Sequence, residues 1–367
     1  MNDTQKKLLC LLSCAVNGIT PDSATVQEMD PDELYRLAKL HSVRGAVCIA
    51  LKRAGVENKP FDQAYKKAVR NNIYFELERS AVLAEFEQQG IWYMPLKGSV
   101  LKDLYPENGM REMADSDILY DAGKRQQVKE IMLSHGYEVK SFGRWHHDVY
   151  MKPPVLNFEL HTALFSENHD HPVNLYYADV KRLLRKDDGN RFGYHFSDED
   201  FYIYMTAHEW VHYSRNGTGI RSLMDCYVYC KAKGNTLDWE YITKQCGQLA
   251  IADFEQKRRK LAFKVFSADT LPDLTDEETD MLRFYLSAGT YGSLDHGIRN
   301  ELKNQSKAGF LLRQIFPDMN YMKHSVAFVN KVPLLYPAGL VFRWGRILIF
   351  HRDHIKKTLG IVIKQKK

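Results

Sequence analysis

Residues 91–120 read IWYMPLKGSVLKDLYPENGMREMADSDILY, and the fold turns on how this stretch is parsed. IWYMPL is short, aromatic and β-prone, which predicts a strand running into Lys97-Gly98-Ser99, where a helix begins at once. Glycine at such a turn lets backbone N–H groups approach a phosphate closely, the new helix N-terminus favours anions, and a serine hydroxyl adds a donor. Taken alone, a glycine at a strand-to-helix turn needs only a geometric reason. Asp115-Ser116-Asp117 then leads into a second strand, ILY. Alternate residues of a strand share a face, so both carboxylates project together. Side by side they raise each other's pKa unless a cation lies between them, and a divalent metal ion is the natural neutraliser. For an isolated D-x-D, a solvated acidic turn is the competing reading.

The third part is Asn157-Phe158-Glu159-Leu160-His161. Leu156, Phe158 and Leu160 form the buried face of a strand, which turns Asn157, Glu159 and His161 to the other side. An apolar strand, Gly-Ser, a helix, a strand with Asp-x-Asp and a third acid on a later strand together resemble the DNA polymerase β type nucleotidyltransferase superfamily. More narrowly, MPLKGSVLKDLYPENGMREMADSDILY followed by FELH is similar to an uncharacterised bacterial group of that superfamily, marked by LKG, R-x-M-x-D-x-D and E-L-H. HEWVH, RSLMD, IFPDMNYM and VPLLYPAGLVFRWGRI resemble later segments of the same group, so the likeness extends from about residue 30 over most of the chain.

The resemblance implies transfer of a nucleoside monophosphate from an NTP to a hydroxyl acceptor with loss of pyrophosphate. Asp115 and Asp117 would hold two Mg²⁺, with Mn²⁺ as a substitute, and Glu159 would share the metal that activates the acceptor. Gly98 and Ser99 would cradle the β- and γ-phosphates, and Lys102 and Arg111 are each either a further phosphate contact or, equally, a surface charge. Two departures stand out. Position 116 is usually apolar but here is Ser116, which should face the back of the sheet at a packing cost, and the gap from Ser99 to Asp115 is longer than in compact members. The acceptor, a small molecule or a protein hydroxyl, is not specified by the motifs. An inactive nucleotide-binding or regulatory protein with the same fold is the alternative.

A third class is suggested by HEWVH at residues 208–212, which matches H-E-x-x-H, the pattern that sets two imidazoles one helical turn apart for zinc. A zinc peptidase needs a third protein ligand. The positions where the longer metzincin motif places glycine and histidine hold Arg215 and Thr218, and Glu240 is merely the nearest later glutamate. The two histidines therefore read better as part of the helix that follows the catalytic sheet.

The 367 residues, 44% of them apolar, suffice for two or three modules, and a net charge of +5 gives no sign of a nucleic-acid partner. Six cysteines lack C-x-x-C spacing and read as reduced core thiols. Near the start, Leu8, Leu9, Leu11, Leu12, Ala15 and Val16 form a helical stripe, which suits a packed helix rather than a signal peptide. We expect an α+β chain in which a small mixed sheet is flanked by helices: a helical region over 1–89, the catalytic core over 90–165, and a helical region with a basic tail over 166–367. PDELYRLAKLHSVRGAVCIALKRAG and YITKQCGQLAIADFEQKRRKLAFKVF each read as one helix. No apolar run is long enough to span a membrane, and a cytoplasmic location is expected.

From Lys331 to Lys367 there are nine Lys or Arg against one acid, Asp353. Arg346, Arg352, Lys356, Lys357 and the last lysines surround an apolar set that includes Ile347, Ile349, Ile355, Leu359 and Val362. Such a helix either lies on an anionic membrane surface or docks on the protein, and docking is the preferred reading.

Overall fold

The computed structural model describes all residues except 28, 166–170, 269, 271, 291, 304, 351 and 365–367. Its first helix, Asp3–Asn17, is closed at its start by a capping box between Asn2 and Gln5 and buries the whole predicted stripe from Leu8 to Val16. Asp30 caps the next, Pro31–Leu40, by accepting from the amides of Asp32 and Glu33. The helix expected to continue to Gly55 instead breaks. Ser42 takes a φ of 53° and a separate helix, Arg44–Arg53, follows. The break lets Gly45 meet the 105–111 loop, where a Cβ would fall 1.9 Å from the Gly109 carbonyl oxygen. A 30-residue helix, Lys59–Gln88, completes the first helical region.

Five strands follow: β1 (Tyr93–Pro95), β2 (Ser116–Tyr120), β3 (Glu138–Ser141), β4 (His147–Lys152) and β5 (Leu156–His161). They form one mixed sheet in the order β1-β2-β5-β4-β3, in which β2 and β5 are parallel and the other pairs antiparallel. Strict alternation decides which face is dry. Ile118, Tyr120, Tyr150, Phe158 and Leu160 pack with Phe75, Val82 and Phe86 of the long helix and with Val128, Ile131 and Met132 of the Arg125–Ser134 helix. Ser116 lies on this dry face, fully buried opposite Phe158, and its hydroxyl finds no hydrogen-bond partner among the described residues. The packing cost expected of a serine there is therefore real.

Helices return with Asp198–Ser214, whose start is closed by reciprocal bonds between Ser197 and Asp200 at 3.0 Å. The segment read as one helix from Tyr241 to Phe266 is two, Trp239–Gln248 and Ala252–Phe266, because Ala250 adopts a φ of 56° between them. Arg258 is fully buried and donates to Glu209 at 2.9 Å and to Thr206 at 2.8 Å, while the Tyr285 hydroxyl donates to Glu209 at 2.6 Å. Glu209 is the glutamate of HEWVH. Buried and held in this network, it is not placed to act on a metal-bound water, and Glu240 is exposed on the Trp239–Gln248 helix. The peptidase reading fails on that ground.

The chain forms two compact units, residues 1–210 with 219–290, and residues 211–218 with 291–367. The boundaries read at 89 and 165 thus mark changes of secondary structure inside the first unit. The second unit has two small cores, one around Met322, Val326, Val329 and Leu340, the other joining Ile298, Phe310 and Val362. Val362 belongs to the last helix, Arg352–Lys364, so that helix docks within its unit by its apolar side. Lys366 and Lys367 lie outside the described residues. Leu348, Ile349 and Phe350 at the end of the Tyr336–Phe350 helix are more than half exposed. No helix among the described residues is long and apolar enough to cross a membrane.

Deleting residues 346–367 should uncover Ile298 and Phe310. The truncated chain is expected to lose the protease resistance of residues 291–345, or to become insoluble, relative to the full chain. A truncation that stays folded but loses salt-sensitive binding to anionic vesicles would make the tail a membrane contact instead.

Candidate active site

The parallel pairing of β2 with β5 sets Asp117 directly opposite Glu159, and the antiparallel pairing of β4 with β5 sets His147 opposite His161. All four occupy the face turned away from the helices that cover the sheet. Asp115 stands two residues before Asp117, just ahead of β2. The three acids expected from sequence are therefore gathered at one place, and two histidines join them. One ligand atom each from Asp117, Glu159 and His161 lies within 4.8 Å of the others, as does one ring nitrogen each from His146, His147 and His161. Asp115 is in neither group.

Electrostatics ties Asp115 in nonetheless. Burial, followed by the charge of Asp117, pushes the Asp115 carboxyl up to about 6. Burial also raises Glu159, and repulsion from Asp117 and Asp115 adds to it, bringing this group to about 7. For Asp117 burial acts in the same upward direction, but His161, whose Nε2 lies 3.0 Å from Oδ1, together with His147 and Lys97, outweighs it and the net shift is downward. One carboxylate held ionised by its neighbours stands between two that burial and repulsion keep from ionising, so the group as a whole gains from added positive charge. Oxygen donors in that state suit a hard divalent cation, and Asp115, Asp117 and Glu159 are fit to hold Mg²⁺.

The turn that precedes the site is built differently from the expectation. The Leu96 amide donates to the Asp117 carbonyl at 2.9 Å, which fastens the LKGS turn to β2. Gly98 is the second residue of the five-residue helix Lys97–Leu101, and the space above it is taken: a Cβ there would lie 2.8 Å from Met113 Cε and 3.5 Å from an Arg111 nitrogen. The Ser99 hydroxyl is buried and donates back to the Leu96 carbonyl at 2.7 Å. In this conformation both the hydroxyl and the amide of Ser99 donate to the Leu96 carbonyl within the turn.

Arg111 is not a phosphate contact here. Its guanidinium makes a bidentate pair with Asp225 of the Ile220–Lys233 helix, at 2.9 and 3.0 Å, and its third nitrogen meets Met113 Sδ at 3.1 Å. Tyr105 donates to the same Asp225 at 2.7 Å. Lys102 pairs with Glu76 at 3.0 Å and with Asp103. Both cations, offered as phosphate contacts or surface charges, have protein partners.

The positive charge at the site comes from residues given no role above. Half-buried Lys97 has its pKa lowered by burial, against the pull of Asp225 and Glu209, and its charge also acts on Asp117. Arg221, which donates to the Glu112 carbonyl at 3.0 Å, bears on Asp115. The lysine of LKG and the arginine of RSLMD were in view as motif letters; their charge relation to the acids is visible only in three dimensions.

A family model described as uncharacterised nucleotidyltransferase matches residues 27–267. The chain belongs to this nucleotidyltransferase family. The matched span runs from the first helical region through the sheet to the end of the Ala252–Phe266 helix, and so contains the acids, the LKGS turn and Asp225. No curated protein and no solved structure matches the chain.

Two outcomes follow from this geometry. Asp225→Ala leaves Arg111 and Tyr105 buried without their acceptor, and a loss of about 3–5 kcal/mol in urea unfolding is expected. Glu159 is the second. An acid whose folded pKa exceeds its unfolded value binds protons preferentially in the folded state, so its contribution falls as pH rises from the ordinary 4.5 to about 7. Glu159→Gln should therefore gain on the wild type as pH goes from 5 to 8, by on the order of 2–3 kcal/mol, and added Mg²⁺ should shrink the gap. A pH-independent difference would show that Glu159 is not under this strain.

Proposed function

We propose that the chain transfers a nucleoside monophosphate from an NTP to a hydroxyl acceptor. The observation that carries the reading is the register that places Asp117 opposite Glu159 on one face, with Asp115 coupled to both. Asp115, Asp117 and Glu159 would hold Mg²⁺, which when bound supplies charge neutralisation for the triphosphate. Lys97 and Arg221 add fixed positive charge from the protein beside the same acids. In the reaction the acceptor oxygen bonds to the α-phosphorus, the bridging P–O bond to the β-phosphate breaks, and pyrophosphate departs. Glu159 would share the metal that activates the acceptor hydroxyl and so help to draw off its proton. His161 holds Asp117 ionised and oriented.

Incubating the protein with each α-labelled NTP, Mg²⁺ and a cell extract should label an acceptor. Asp115→Asn and Glu159→Gln should each reduce labelling by at least about 1,000-fold, as loss of electrostatic groups at a reaction centre does. Glu159→Gln should keep most of its nucleotide binding. Wild-type labelling by either variant would overturn the site. Nucleotide binding with no labelled acceptor under any NTP would favour a binding protein of the same fold.

A further inference from the structure

Three imidazoles stand beside the acids, and the transfer reaction uses only one of them. His146 immediately precedes β4, His147 opens it, and His161 ends β5 directly opposite His147. Their ring centroids are 4.8, 5.1 and 5.8 Å apart, and one ring nitrogen of each lies within 4.8 Å of the other two. Nitrogens sharing a tetrahedral Zn²⁺ at about 2.0–2.1 Å lie roughly 3.3 Å from one another, a difference within reach of side-chain rotation.

The orientation of two of the rings carries the argument further. His161 turns Nε2 to Asp117 at 3.0 Å, a hydrogen bond, while Nε2 of His147 lies 3.8 Å from Glu159, too far for one. A carboxylate accepts but does not donate, so the Asp117 contact puts the His161 proton on Nε2 and leaves the lone pair on Nδ1. Nδ1 of His161 and Nδ1 of His147 are both buried, with no hydrogen-bond partner among the described residues. A ring that gives one N–H to a carboxylate and keeps its other nitrogen as a bare donor is the arrangement found around protein-bound zinc. Three nitrogens make a poor site for Mg²⁺, which demands oxygen, and a good one for a borderline ion.

We propose that His146, His147 and His161 bind a divalent transition-metal ion of the Zn²⁺ type, with Asp117 as the carboxylate partner of the His161 ring. The ion ties the start of β4 to the end of β5 and places positive charge against the acids. This inference does not rest on the transfer reaction, and its test contains no nucleotide.

The full chain, stripped with chelator, is titrated with Zn²⁺ in millimolar Mg²⁺ against a zinc indicator dye. One tightly held Zn²⁺ per chain is expected. His146→Ala and His147→Ala should each weaken it by more than the roughly 10- to 100-fold that loss of an outer-shell partner costs. Asp115→Asn and the His208→Ala, His212→Ala pair should leave it in place. Co²⁺ added to the wild-type chain should give the intense visible absorption of a four-coordinate, nitrogen-bound ion, a readout that needs no variant. The proposal fails if the wild type retains no Zn²⁺, if Co²⁺ shows only weak bands of an octahedral oxygen shell, or if zinc survives loss of His146 and His147 but not of His208 and His212.

Discussion

Asp225 accepts three hydrogen bonds inside the protein, two from Arg111 and one from Tyr105, and the position of the acids follows from that arrangement. Arg111 and Tyr105 both lie in the stretch 105–115, which leads into β2 and has no helix or strand of its own to fix its path. Anchored at Asp225, the segment delivers Asp115 and Asp117 to the sheet, and Arg111 in turn packs with Met113 over Gly98. A further pair, Arg44 with Glu112, ties the same segment to the first helical region. Both the turn and the acidic strand are thus set by one buried charge on a helix far along the chain.

A buried ion pair is weak evidence of stability, since well-packed apolar side chains of similar volume often serve as well. Its value here is geometric. Arg111 and Asp225, with Tyr105 and Met113, satisfy one another and hold the loop at fixed points. The acids opposite are the reverse case, three carboxyls brought together with only partial compensation. Burial and mutual repulsion push Asp115 and Glu159 upward, and only Asp117 is relieved, by His161. A sheet that accepts such strain on one face can do so because its other face is densely apolar, from Phe75 through Tyr150 to Leu160. The stability given up at the acids is what makes them receptive to a cation.

The parts of this fold that were legible in the sequence are those where local pattern and burial agree. The apolar stripe of the first helix, the alternation of Leu156, Phe158 and Leu160 and the sidedness of Ser116 each depend on the period of a helix or strand, and each appears as read. Helix continuity was less legible. Ser42 and Ala250 take left-handed conformations that neither residue favours, and no turn-forming glycine or proline announces them. Those bends serve contacts made elsewhere, such as that of Gly45 with Gly109.

By itself, then, the sequence determined which residues would lie on which face and that three carboxylates would recur in the order of a nucleotidyltransferase. Tertiary structure alone decided which charges meet. Arg111 looked available because its partner is 114 residues away, Ser99 because its acceptor is a backbone carbonyl, and His147 had no evident role until the β4–β5 register set it beside His161. The physical reason is that periodicity along a chain reports orientation, whereas an ion pair or a ligand set depends on distances between segments, which are set only when the segments pack.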